Sequence, residues 1–178
     1  MKTSRHTEVI DVAEMLLEAE GLEAVTMRRL GQELGMRAPS LYKHVTGKDD
    51  IMTALQIRAL QGQAAALASA STLSEVATGY RRWALAHPRL YELIARHPLD
   101  RARLPPGVEA AAAAPLLGAA GGDIDLARAL WGLGHGLVDL ELAGRFPPGA
   151  NIDRAWAAAV DAFTARSAAA PTVDSIAP

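Results

Sequence analysis

The stretch that decides the fold is TMRRLGQELGMRAPSLYKHVTGKDDIM, residues 26–52. Its first half predicts a helix that runs from Thr26 to Leu34, because the threonine hydroxyl can accept hydrogen bonds from the free N–H groups of a first turn. Gly35 then permits the left-handed backbone of a tight turn. A second helix follows at once, so the stretch predicts a helix-turn-helix.

The second helix of this stretch has a polar outward side. Pro39 suits its first turn, and Leu41 and Val45, four residues apart, give it one buried side. Advancing about 100° per residue from an inward Leu41 gives the outward positions. They are Pro39, Ser40, Tyr42 and Lys43. A helix with such a face can enter a DNA major groove, and Arg37, just before it, can reach a base edge or a phosphate.

The charge distribution supports binding of a polyanion. Between Thr26 and Lys48 five basic residues stand against one acidic residue, a net charge of +4, whereas the other 155 residues hold 13 basic and 19 acidic residues, a net charge of −6. A basic patch on an acidic molecule binds polyanions locally. The alternative is a solvated helical face, which a short cluster also suits.

Composition bounds the remaining possibilities. The 178 residues are 50% hydrophobic and 21% charged, which fits one globular domain or two small ones. The absence of cysteine excludes disulfides, thiolate nucleophiles and Cys-ligated metals. No apolar run is long enough for a membrane span, and Met15–Leu17 is too short for the core of a signal peptide. We therefore expect a soluble, cytoplasmic protein without membrane partners.

Helical periodicity continues along the chain. The predicted helices outside the stretch are one ending before Gly21, one from Lys48 to about Ala70, stripes at 73–87 and 90–97, an Ala-rich segment before Gly121, and helices at 126–144 and 152–166. We expect an all-α fold of about nine helices. Its predicted parts are a three-helix DNA-binding head (1–48), a helical ligand-binding and dimerisation domain (49–167) and a flexible tail (168–178).

The segment 126–144 is apolar on more than one face, which predicts a helix buried on both sides. It also contains Gly132, Gly134 and Gly136, each of which costs a helix up to about 1 kcal/mol relative to Ala. Close approach of a neighbouring helix or a ligand would explain these glycines.

Residues 26–52 resemble the DNA-binding head of the TetR family of bacterial transcriptional regulators, without a gap over 27 residues. The resemblance extends less specifically back to Thr7 and on to Leu60. One departure is Gly31, where the family usually has Ala. We expect it to weaken the second helix by about 1 kcal/mol without removing a DNA contact.

The resemblance implies roles for individual residues. It implies that phosphates are held mainly by Thr26, Tyr42, His44 and Lys48, and that bases are read by Arg37, Ser40 and Lys43, with Pro39 on the same face. Arg28 suits either role. Structural roles compete with these: Thr26 is also a helix cap and Tyr42 can pack beside Val45. Lys48 at a helix N-terminus is electrostatically unfavourable, which points to another role.

Two later segments, GYRRWALAHPRLYELIARH (79–97) and LWGLGHGL (130–137), resemble a class of TetR-family C-terminal domain named for its Trp-His-Gly signature. This implies an effector-binding, dimer-forming domain. The expected ligand-binding residues are Tyr80, Trp83, His87, Tyr91, Ile94, Trp131, His135 and Val138. The same stripes also suit a hydrophobic core with hydrogen-bonded histidines, and His87 and His97, each before a proline, suit helix ends.

His135 and Asp139, four residues apart, would be half of a metal site. The sequence supplies no further matched ligands, so we predict neither a metal nor a cofactor.

The resemblance implies a ligand-responsive repressor. It would bind a palindromic double-stranded DNA operator as a homodimer formed by its last two helices, and a largely apolar small-molecule effector would release it. The alternatives are a helical enzyme that uses His135 with Asp139 and a protein-interaction module that retains the head. The sequence gives little support to the enzyme alternative, since it has no cysteine, nucleophile elbow, phosphate-binding glycine loop or His-Glu-x-x-His pair.

Overall fold

The structure, a computed structural model, describes residues 4–168, apart from the side chains at positions 38 and 165–168. All regular elements in this range are helical. The α-helices are α1 (Arg5–Glu20), α2 (Met27–Glu33), α3 (Ala38–Leu41), α4 (Lys48–Leu67), α5 (Leu73–Ala86), α6 (Pro88–Arg96), α7 (Val108–Ala119), α8 (Ile124–Leu142) and α9 (Ile152–Ala168). The predicted all-α fold is confirmed, although α4 ends before Ala70 and a short 3-10 turn at Leu22–Ala24 was not predicted.

Local chemistry explains where several helices begin and end. The side chains of Ser4, Thr26 and Asp123 accept hydrogen bonds from the first-turn N–H groups of α1, α2 and α8. Gly21 ends α1 with a φ of 88°, a backbone angle that favours glycine. His87 and His97 flank α6, as their positions before prolines predicted.

The helices form two compact units. Of the described residues, the first contains those up to Ala66 together with Arg82–Ala113, and the second contains Leu67–Arg81 together with those from Ala114 onwards. The divisions fall within α5 and α7 and before the last residue of α4, Leu67, so each of these helices contributes to both units. The functional boundary after residue 48 stays a prediction, and the predicted tail lies beyond the described residues except for Ala168.

In the first unit, hydrogen bonds to acidic side chains of α1 connect this helix to two other helices. Arg58 on α4 donates to Asp11 and Glu14 on α1, at 2.5 and 2.7 Å. The Glu18 carboxylate accepts from the backbone N–H groups of Arg89 and Leu90, at 3.4 and 3.2 Å, in the first turn of α6. These contacts anchor the N-terminal helix to α4 and α6.

In the second unit α8 buries only one side. Its Ala127 and Val138 are buried, whereas Ala129, Gly132, Gly136 and Leu140 on the opposite side are exposed, with Leu140 at 45%. One chain supplies packing partners for one side only, so the predicted burial of the second side stays a prediction that depends on pairing with a second copy. The three glycines of α8 are likewise distributed between its packed side and its uncovered side.

Gly134 faces the Tyr80 ring, from which a Cβ would lie 3.5 Å away. Gly132 and Gly136 face open space within the described part of the chain.

Along residues 4–168, no helix combines the length and the apolar character needed to cross a bilayer.

Candidate nucleic-acid interface

The turn between α2 and α3 is unusually close. Gly35 adopts a φ of +61°, and the N–H of Met36 donates to the carbonyl of Gly31 at 2.8 Å. A Cβ at Gly31 would lie 2.9 Å from the Met36 carbonyl oxygen. The expectation that Gly31 only weakens α2 was therefore incomplete, since here the glycine also permits the backbone of the turn to approach the helix.

The helical segment that follows has the predicted inward and outward sides. Leu41 is 0% exposed and Val45 is 2% exposed, whereas Tyr42 is 54% exposed. Pro39 and Lys43 are exposed and Ser40 is half-buried. The regular α-helix is only Ala38–Leu41, but backbone hydrogen bonds from His44 and Val45 to Leu41 continue the turn. The candidate DNA-contacting side chains of this segment therefore point away from the core.

The basic residues of the patch differ in whether nearby carboxylates neutralise their charge. Arg29 donates to Glu20 at 2.8 Å and to Glu33 at 2.9 Å, so two carboxylates offset its charge. The other four cations, Arg28, Arg37, Lys43 and Lys48, have exposed side chains. The positive charge of the patch that is not offset by carboxylates therefore comes mainly from these four cations, all of which were predicted from the sequence to contact DNA.

Thr26 combines its two expected roles without conflict. Its hydroxyl oxygen accepts from the N–H of Arg29 at 3.2 Å, and the residue is exposed. The hydroxyl proton is still free to be donated to a phosphate oxygen. His44 is half-buried beside this surface.

Asp50, which was not among the residues predicted from the sequence, fixes the start of α4. Its carboxylate accepts from the N–H of Thr46 at 2.9 Å and lies 3.5 Å from the Arg103 guanidinium. An acid in the first turn after a threonine is the sequence signal that could have revealed it. Asp50 thereby orders the backbone that presents Lys48, the first residue of α4.

The eight predicted ligand-binding residues divide equally between the two units. Trp83, His87, Tyr91 and Ile94 belong to the first, and Tyr80, Trp131, His135 and Val138 to the second. Trp83, Tyr91 and Val138 are at most 5% exposed, so these three side chains pack into cores.

In the second unit, three of the predicted residues form a polar and aromatic cluster. The Tyr80 hydroxyl lies 3.1 Å from His135 Nδ1, and the Trp131 ring stands edge-on to the His135 ring with centroids 4.8 Å apart. Burial lowers the pKa of His135, an effect that the charge of Asp139 partly opposes. This arrangement keeps a largely neutral imidazole beside a phenol, a pair that can donate or accept hydrogen bonds.

Comparison with known proteins agrees with the geometry of the head. Residues 9–55 match the family described as bacterial regulatory proteins, tetR family. Residues 73–163, just over half of the chain, match the tetracyclin repressor-like C-terminal domain.

Individual relatives give the same result. The uncharacterized HTH-type transcriptional regulator Rv0681 of Mycobacterium tuberculosis is 30% identical over 158 residues, which cover 80% of this chain and 72% of that protein. Tetracycline repressor protein class E of Escherichia coli is 46% identical over 48 residues, 27% of this chain and 23% of the repressor.

The fold is also shared with a solved structure, that of the Streptomyces coelicolor TetR family protein ActR in complex with (S)-DNPA. Its TM-score is 0.63 at 22% identity, with 96% of this chain and 100% of that chain covered. The helix-turn-helix geometry, the two domain matches and the similarity to Rv0681 together show that this chain belongs to the TetR family of bacterial transcriptional regulators.

Proposed function

We propose that the protein is a ligand-responsive repressor that binds a palindromic DNA operator as a homodimer and leaves it when a small-molecule effector binds. The observation that carries the proposal is the orientation of residues 37–45. Leu41 and Val45 are buried while Tyr42 is 54% exposed and Lys43 is also exposed. A short helix anchored in this way can place cations and hydroxyls in a major groove.

The proposed division of labour follows the exposure of the side chains. Thr26, Tyr42, His44 and Lys48 hold phosphates, and Arg37, Ser40 and Lys43 read bases, with Arg28 in either role. Phosphate contacts fix register and base contacts give specificity, so both groups are needed on one surface. The tetracycline repressor to which the head is similar supports the assignment as a repressor.

Homodimerisation through α8 and α9 is supported by surface that a single chain leaves uncovered. On α8, Gly132, Gly136 and Leu140 recur every four residues on one stripe: Leu140 is 45% exposed, and the two glycines leave room for a second helix. On α9, Ala157, Ala158 and Ala162 are exposed. In the proposed two-fold dimer, the two recognition helices would enter successive major grooves about 34 Å or more apart.

The effector is proposed to be largely apolar and to bind among the C-terminal helices. The cluster of Tyr80, Trp131 and His135 supplies aromatic surface with few polar groups, which suits such a ligand. The structure of ActR with (S)-DNPA offers a precedent in a protein of the same fold. The segment 130–137 supports assignment to the Trp-His-Gly class.

Release would be a shift between two populations. The effector favours a spacing of the heads that no longer fits successive grooves, and it can shift the equilibrium only as far as its affinities for the two states differ.

The decisive experiment is selection of bound fragments from a pool of random DNA duplexes. We expect an enriched palindrome, and its retardation in gels should weaken steeply as salt is raised, because bound phosphates release counterions. Binding that is insensitive to both sequence and salt would contradict the proposal.

A further inference from the structure

Arg81, on α5, holds the neighbouring ends of α8 and α9. Its Nε and Nη2 donate to the two carboxylate oxygens of Glu141 on α8, at 2.8 and 2.7 Å, and its Nη1 donates to Asp153 on α9 at 2.6 Å. All three residues lie in the second unit. A planar guanidinium has the geometry to bind one carboxylate with two parallel hydrogen bonds while it reaches a second acceptor. We call these three residues the Arg81 fork.

The environment of the fork makes the contact with Glu141 the stronger one. The side chain of Glu141 is 13% exposed and that of Arg81 is 21% exposed, whereas that of Asp153 is 86% exposed. The hydrogen bonds that Arg81 donates to Glu141, and secondarily to Asp153, raise the pKa of Arg81 despite its partial burial. Trp156 of α9, 8% exposed, packs with its ring centroid 5.9 Å from the Arg81 guanidinium carbon. One side chain therefore joins α9 to α8 by polar contact and by packing.

The same two helices carry the uncovered surface described above. That surface is composite: α8 contributes Leu140 and its two open glycines, and α9 contributes small side chains. Its shape depends on the angle between the helices, and the connection between them, residues 143–151, is a loop. Without the guanidinium, Glu141 and Asp153 would be neighbouring like charges, which would push the two helix ends apart.

We propose that Arg81 is the positioning residue that sets the angle between α8 and α9 and so builds the surface on which two copies of the chain pair. The inference rests on the homodimer of the proposed function. It assigns the rigidity of that surface to a residue that, on α5, lies outside the two pairing helices.

The test is the dissociation constant of the dimer, measured by sedimentation equilibrium on the full chain. Arg81→Met, which keeps the length of the side chain, should raise that constant at least tenfold. The double variant Arg81→Met with Glu141→Gln removes the unpaired carboxylate charge as well, so it keeps the test valid if the single variant does not fold. It should show a similar rise with unchanged helix content by circular dichroism.

Matched controls separate the fork from charge in general. Arg82→Met removes the same charge from the next residue, which is exposed, and should leave the constant within twofold. Asp153→Asn should raise it by a smaller factor, about two- to fivefold, because that carboxylate is largely in solvent.

Two outcomes would overturn the inference: a folded double variant with the wild-type dissociation constant, or an Arg82→Met variant as impaired as Arg81→Met. A wild-type chain that is monomeric would instead contradict the proposed homodimer. These failures are therefore distinguishable.

Discussion

The indole nitrogen of Trp83 lies so close to Gly62 that a Cβ at the glycine would sit 3.2 Å from it. Gly62 is in the middle of α4 and Trp83 is on α5, and both belong to the first unit. Glycine inside a helix costs about 1 kcal/mol relative to alanine, so a packing reason is expected. The close approach of the buried indole provides that reason.

Gly62→Ala should therefore destabilise the protein although alanine is the better helix former. We expect the free energy of unfolding to fall by about 1 kcal/mol, because overpacking of a buried contact outweighs the gain in helix propensity. Urea denaturation followed by circular dichroism measures it. The control is Gly118→Ala in α7, where a Cβ would meet open space and stability should rise. Equal gains for both variants would contradict the packing role of Gly62.

Local features of the fold were predictable from the sequence, and long-range pairings were not. The cap at Thr26, the glycine end of α1 at Gly21 and the buried side of α3 follow from residues within one or two turns. The Arg81–Glu141 contact joins residues 60 positions apart, and no local pattern selects one carboxylate among many. The second apolar side of α8 was visible in the sequence as surplus apolar surface, but the spacing of its residues does not specify which surface would cover it.

Lys48→Ala should change stability and DNA binding in opposite directions. Lys48 is the first residue of α4, where a cation opposes the helix dipole, so its removal should stabilise the free protein by about 0.3–1 kcal/mol. Affinity for all DNA sequences should fall, and the slope of log affinity against log salt should flatten by about 0.9, the value for one phosphate. Filter binding over a salt series measures the slope. Arg82→Ala, with the same loss of charge, should leave it unchanged.

Arg37→Ala should act on specificity. Arg37 is exposed immediately before α3, and its carbonyl accepts from the N–H groups of Ser40 and Leu41, which fixes the backbone at the start of the helix. We expect the preference at one operator position to relax by about 1–3 kcal/mol, with little change at the others. Competition binding with single-base variants of the selected palindrome measures this. An equal loss of affinity for every sequence would show that Arg37 contacts phosphate instead.

The stability of the second unit should depend on pH through His135. Burial lowers the pKa of this residue below the ordinary value of 6.5. The unfolded chain therefore takes up a proton first, and the free energy of unfolding should fall as the pH drops from 6.5 to the lower folded value. Below that value His135 causes no further loss. Denaturation of His135→Gln across this range should show a shallower dependence of the free energy of unfolding on pH.

Trp131→Ala and Trp156→Ala should separate assembly from folding. Trp131 is 53% exposed on α8, so its truncation removes little packing within one chain but a large part of the proposed effector site, which borders the pairing surface. We expect a weaker dimer, or a shifted response to effector, with the fold of the head unchanged.

Trp156 is 8% exposed, and its truncation should cost about 3–5 kcal/mol of folding free energy, because it opens a cavity. Sedimentation and thermal unfolding at a fixed protein concentration distinguish the two effects, since the apparent stability of a dimer depends on concentration. If Trp131→Ala left both the dimer and the effector response intact, the pairing surface and the ligand site would have to lie elsewhere on the C-terminal helices.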